Sequence, residues 1–185
     1  MPATRAPIAP APDYSPLAGF LSYLVPGLGQ LYQGRIGKGL LFLVCLYGMF
    51  FTGMAMGDWR NVYLPDTAHK NGPDWLPVPV ANLWNRLHFA GQFWIGAAAW
   101  PALWQYAHYD ENQDADRIFG TFERTPREEV INDLQRNSDK SWDLGWVYTV
   151  IAGVLNILVI YDAFAGAAFA EAERAEAIRQ EAAAP

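Results

Sequence analysis

Several small groups of residues have the types that chemistry needs, and their spacing decides what each can do. Residues 34–39 read Gly-Arg-Ile-Gly-Lys-Gly and end like a phosphate loop in Gly-Lys. The first glycine of such a loop would fall on Tyr32, and the hydroxyl residue after the lysine is Gly39. No buried strand precedes it, so the backbone cradle for a phosphate is not built. Gly27-Leu28-Gly29 begins a dinucleotide fingerprint, but its third glycine also falls on Tyr32. Asp110, Asn112 and Asp114 match the first three ligand positions of a calcium loop, yet Ala115 and Thr121 stand where its glycine and bidentate glutamate belong. His69, His88 and His108 lie too far apart for metal-ligand spacing. Neither Gly-x-Ser-x-Gly nor His-Glu-x-x-His occurs. No catalytic, cofactor-binding or metal-ligating residue is therefore assigned, and the chain is expected to be neither an enzyme nor a cofactor carrier.

Two polar features stand apart from these failed motifs. Gln30 and Gln33 sit within or beside an apolar run, where an amide either ties two helices together or lines a polar path. Asp162 closes another apolar run, where a carboxylate either meets the membrane surface or relays protons. Gln30 and Asp162 are the candidate functional polar residues. The lone cysteine, Cys45, lies inside an apolar run and reads as a small packed residue.

The elements that must position these residues are apolar and long. The chain has 185 residues, 52% of them hydrophobic and only 17% charged, against roughly 25% charged in ordinary soluble domains. The charges are clustered, leaving windows 14–34, 39–57, 87–109 and 144–161 without Asp, Glu, Lys or Arg. Each window matches the ~17–25 residues a helix needs to cross ~30 Å of hydrocarbon. The pattern predicts an all-α integral membrane protein of about four transmembrane helices. Its expected order is a mobile Pro-rich tail (1–13), a Gly-rich transmembrane hairpin (14–57), an interfacial loop (58–86), a third helix (87–109), a soluble acidic segment (110–143), a fourth helix (144–170) and a charged tail (171–185).

Window one is the least regular. Pro26 falls in its middle and removes a backbone hydrogen bond, and Gly27 and Gly29 follow at once. The segment can span as a kinked helix or dip in and return, and its length favours spanning. Between helices three and four, Thr125-Pro126-Arg127-Glu128 is a helix start, with Val130, Ile131 and Leu134 on one face. The loop 58–86 carries Asn71-Gly72 as a turn signal and Trp59, Trp75 and Trp84 as interfacial anchors.

The stretch Pro26-Gly27-Leu28-Gly29-Gln30-Leu31-Tyr32-Gln33-Gly34, with a basic turn and Gly39 after it, resembles the Pro-Gly-x-Gly-Gln-x-Tyr-x-Gly pattern of small bacterial multi-pass membrane proteins of unknown function. It looks like a variant of the two-transmembrane-helix domain, whose second helix has an Asp-bearing end similar to residues 156–164 here. Pro26, Gly27, Gly29, Gln30, Tyr32, Gly34 and Gly39 form this structural motif. The resemblance implies membrane placement and pairing of the Gly-rich first helix with the last one, and no activity.

A net charge of -6 without a Lys/Arg block argues against nucleic acid. The expected partners are the lipid bilayer and a membrane protein or a second copy of this chain. The expected role is structural or interactive in a bacterial inner membrane, with a small transporter or channel subunit as the alternative and a membrane enzyme third. Four spans put both termini on one side, taken as cytoplasmic, and put Asp162 on the side away from Arg35 and Lys38. The first hairpin is expected to close on Gly29 or Gly34.

Overall fold

The structure, a computed structural model, describes residues 14–65, 77–110, 112–137 and 140–183. The Pro-rich tail, the Asn71-Gly72 turn, His69 and Trp75 lie outside the described residues. Those residues form helices α1 (Pro16–Leu24), α2 (Leu28–Tyr32), α3 (Ile36–Met56), α4 (Val78–Asn85), α5 (Leu87–Gln92), α6 (Trp100–Ala107), α7 (Glu128–Asn137) and α8 (Ser141–Ala183). Two 3₁₀ turns, Phe93–Ile95 and Ala97–Ala99, separate α5 from α6.

Two helices are long and apolar enough to cross a membrane: α3, and the Ser141–Gly166 part of α8. They run antiparallel and cross where Gly53 meets Gly145. A Cβ on Gly145 would lie 2.6 Å from the Gly53 carbonyl oxygen, so only glycine permits this approach. The other two windows are not single helices, and four spanning helices are not what the described residues show.

Window one doubles back. Ser15 caps α1 by accepting the Ala18 amide at 3.4 Å, with Pro16 at the first helical position. Ser15 also donates its backbone N–H to Phe164 at 2.9 Å, which fixes where α1 begins along α8. Pro26 then ends the helix, and Gly27 turns the chain with φ 84, in the left-handed region. Helix α2 returns along the same stretch of α8, so that Gln33 donates to the Ala163 carbonyl at 2.7 Å. The chain thus enters and leaves at the Asp162 end of α8. Nine residues of α1 rise only about 13 Å.

Window three does the same from the other end. Helix α5 packs on α8 with Gly91 against Val150 and Gly153. The chain reverses at Gly96, φ 86, and α6 runs back, where Gln105 donates to the carbonyls of Gly120 and Phe122. The two hairpins therefore meet tip to tip, with buried Gly96 pressed on the carbonyls of Tyr23 and Leu24.

The core between these elements holds Phe50, Met54, Val62, Phe89 and Ile95, all nearly inaccessible. Helix α7 begins at Glu128, two residues later than Thr125-Pro126 predicts, because the Thr125 hydroxyl donates to the Leu64 carbonyl at 3.0 Å instead of capping it, and α8 continues into the charged tail.

Gly96 carries both a left-handed φ and a backbone contact, so Gly96→Ala should lower the melting temperature measured in detergent by several degrees, a cost on the order of 1–3 kcal/mol. Gly48 has open space around it, and Gly48→Ala should melt with or slightly above the parent. Equal melting of the two variants would refute the tip-to-tip contact.

Candidate functional site

The buried face of α8 is a seam of small and polar residues: Gly145, Thr149, Ala152, Gly153, Asn156, Val159 and Ala163. They recur every three or four positions, so they lie on one side of the helix. Every broken segment of the chain is tied to this seam by a side-chain amide.

At mid-length stands Asn156, fully buried. Pro26 has no N–H to give to the carbonyl of Ser22 four residues earlier, so that oxygen is left open. The Asn156 amide donates to it at 3.1 Å. The same amide nitrogen donates at 2.8 Å to the carbonyl of Trp94, beside the break at Gly96. One side chain thus satisfies an acceptor in each hairpin.

Toward the Asp162 end, Gln30 is also fully buried and fully used. Its Nε2 donates to the Val159 carbonyl at 2.9 Å and to Asp162 at 3.1 Å, and its Oε1 accepts from the Ser22 hydroxyl at 2.9 Å. Ser22 Oγ in turn accepts the Gly29 amide at 3.1 Å, which satisfies an orphan donor in the first turn of α2. Asp162 receives Lys38 at 2.6 Å and Arg35 at 3.0 Å. This overturns the expectation that Asp162 sits away from the basic turn. Because window one returns instead of spanning, Arg35 and Lys38 stay at the end where the chain entered.

Toward the Gly145 end, the Asn61 side chain donates to the Gly53 carbonyl at 2.8 Å, and the Asn61 backbone carbonyl accepts from Arg86 and Gln92. Gln92 also donates to Thr149 at 2.8 Å. The Arg86 guanidinium is sandwiched between the rings of Tyr63, 3.4 Å away, and Trp146, 4.4 Å away. Beyond it the loops form a cap. Glu123 is fully buried there and accepts the Ala102 amide at 2.9 Å through Oε2, while its Oε1 finds no partner among the described residues. Burial pushes this carboxyl well above the ordinary glutamate range.

The motif residues divide by role. Gly27 and Gly39 make the contact between α2 and α3, where a Cβ on Gly39 would lie 2.8 Å from the Gly27 oxygen. Gly29 packs on Ala18 and Ser22 of α1, and Gly34 meets nothing within 4 Å. The expected closure of the first hairpin through Gly29 or Gly34 against α3 is therefore corrected to Gly27 against Gly39. Tyr32 is exposed and Pro26 buried. Cys45 is exposed on α3 and not a packed core residue. Among the described residues no group of His, Cys, Asp or Glu could hold a metal.

A family model matches residues 17–176, which takes in both hairpins and both long helices. The chain belongs to DUF6677, a family of unknown function. A 28-residue stretch is 50% identical to the uncharacterized protein MJ1516 of Methanocaldococcus jannaschii, covering 15% of this chain and 28% of that protein. The match thus spans little more than a quarter of that relative. No solved structure matches the chain.

Sequence reasoning singled out Gln30 and Asp162, which the structure brings together at 3.1 Å, and did not single out Asn156, Ser22, Gln92 or Glu123. The signal for Asn156 was present, since it is the only amide in window 144–161.

Two outcomes follow from this geometry. Gln30→Leu strips Ser22 and Asp162 of their shared partner, and should cost about 1–3 kcal/mol in detergent unfolding, whereas Gln33→Leu removes only a partly exposed tie and should cost less. For Glu123, the folded pKa lies above the unfolded one, near 4.3. Its contribution is intact below that value and is lost as pH rises through the raised folded value. Glu123→Gln should therefore stabilise the protein at neutral pH and flatten the dependence of melting temperature on pH above 4.

Proposed function

We propose that the protein is an integral protein of the plasma membrane, with α3 and α8 as its spans and the two hairpins as re-entrant segments, and that its role is structural or interactive. The observation that carries this reading is the inside-out distribution of side chains. Val44 and Leu158 are each 65% exposed, while Gln30, Gln92 and Asn156 are each 0% exposed. A water-soluble helix buries its apolar stripe and shows its polar face. Lipid reverses that preference, because an amide facing hydrocarbon without a partner costs several kcal/mol. The motif resemblance supports a bacterial inner membrane as the setting.

In this reading the described ends of the chain, Tyr14 and Ala183, lie on the side of Asp162. Among the described residues that side carries Arg35, Lys38, Arg174 and Arg179. The other carries Arg60, Arg86, Arg117, Arg124, Arg127, Arg136 and Lys140. Four against seven favours the loops as the cytoplasmic side, contrary to the orientation taken from the sequence.

The interactive role is supported by full use of Gln30 as a tie between helices. Transport is the second reading, supported by two broken segments that meet beside Asn156, whose buried Oδ1 has no partner among the described residues. Ion or solute flux in proteoliposomes above that of empty vesicles would favour transport, and its absence the structural role.

Cys45 tests the placement directly. Without a bilayer it is open to solvent, so a soluble protein would react at once with a membrane-impermeant maleimide. In native membranes it should stay unlabelled until detergent denaturation. On a Cys45→Ser background, Ile118→Cys and Ile178→Cys should label from opposite sides. Rapid labelling of Cys45 in intact membranes would reject the embedding.

A further inference from the structure

We propose that a cavity in the loop cap, between the 108–125 segment and the start of α7, is a binding site for a phosphate-type anion. The inference goes beyond the membrane role and does not depend on it. The cavity has a volume of about 180 Å³ and is lined by Arg60, Arg124 and Arg127. Among the described residues Asp114 is the one carboxylate on the lining, and it pairs with Arg127 at 2.6 Å. Three guanidiniums against one carboxylate leave the lining two charges positive, in a chain whose net charge is -6. A local field of that sign concentrates anions at the cavity.

Arg124 makes the site a built one. Its residue is 6% exposed, and among the described residues it forms no salt bridge, the Asp110 carboxylate acting on it only through space. It is held instead by neutral acceptors: the carbonyls of Asp110 and Gln113, each at 2.8 Å, and Gln105 Oε1 at 3.3 Å. The Tyr109 ring lies 4.9 Å from its guanidinium carbon. A buried cation fixed by neutral groups keeps its charge for a ligand. Arg60, which pairs with Asp58 only at 4.0 Å, brings a second guanidinium to the lining. Forked guanidinium donors match the oxygens of a phosphate better than a point charge does.

Size and lining narrow the ligand further. Drug-sized ligands fill roughly 300–1,000 Å³, so this cavity admits one anionic head with a short carbon attachment. Pro126 and Val130 supply an apolar wall for that attachment, and Thr121 a hydroxyl. The headgroup of an anionic phospholipid and a free phosphate monoester share this chemistry.

The test uses the full chain. Equilibrium dialysis with radiolabelled inorganic phosphate in detergent measures the soluble arm. Lipid retained by protein purified from nanodiscs of phosphatidylglycerol, against nanodiscs of phosphatidylcholine alone, measures the headgroup arm. Saturable binding of one phosphate, or selective retention of phosphatidylglycerol, is expected in the parent, and R60Q/R127Q should weaken it tenfold or more. R136Q/R179Q removes the same charge from exposed sites elsewhere and should bind as the parent does. Melting curves matched to the parent confirm that each variant folds. Loss in the lipid arm only identifies a headgroup site, and loss in the phosphate arm only a soluble ligand. Binding in neither arm, or an equal loss in both double variants, overturns the proposal.

Discussion

Every break in a helix leaves backbone acceptors that need donors, and the architecture depends on how α8 supplies them. The Asn156 amide serves the Ser22 carbonyl opened by Pro26 and the Trp94 carbonyl beside Gly96. An unsatisfied buried carbonyl costs about 1–3 kcal/mol even by mutational measures. A single amide at the crossing of two hairpins removes that penalty in both. It also fixes their register, since each tip must reach the same side chain. The small residues around it, Ala152 and Gly153, let both tips come close enough to do so.

In the membrane setting proposed above, burial of Phe50 or Met54 gains little, because hydrocarbon solvates them as well as the protein does. Close backbone contact and polar ties must then hold the elements together. Gly53 on Gly145 and Gly27 on Gly39 provide the contact, and Gln30, Gln92, Asn61 and Asn156 provide the ties. Interhelical hydrogen bonds of this kind are worth ~0.6–2 kcal/mol each, so several are needed. The Asp162 ion pairs add specificity more than stability, since Lys38 and Arg35 are partly exposed and such pairs contribute ~0–1 kcal/mol. They hold the return of the first hairpin beside its entry.

The cap at the Gly145 end follows a different logic. Its loops bury Glu123 and Arg124 side by side in sequence but send them to separate partners, a helix amide and a set of carbonyls. Glu123 takes this position with a left-handed φ of 52. The result is a compact polar lid over α6 that leaves one carboxyl disfavoured as an anion and one guanidinium held by neutral acceptors.

The sequence by itself determined the helical class, the apolar character of α3 and α8 and the break at Pro26. These are local properties: a charge-free window and a missing N–H. Whether a broken window continues forward or turns back was not local. A charge-free stretch interrupted by proline or glycine is long enough to span as a kinked helix and equally able to fold on itself. The choice lies in whether its freed carbonyls find donors, and for windows one and three the donor is Asn156, more than sixty residues from Trp94 and more than a hundred from Ser22. That choice then moved Arg35 and Lys38 to the Asp162 end and reversed the expected pairing. Only the tertiary structure decided it, because the satisfying partner of each break sits on another element.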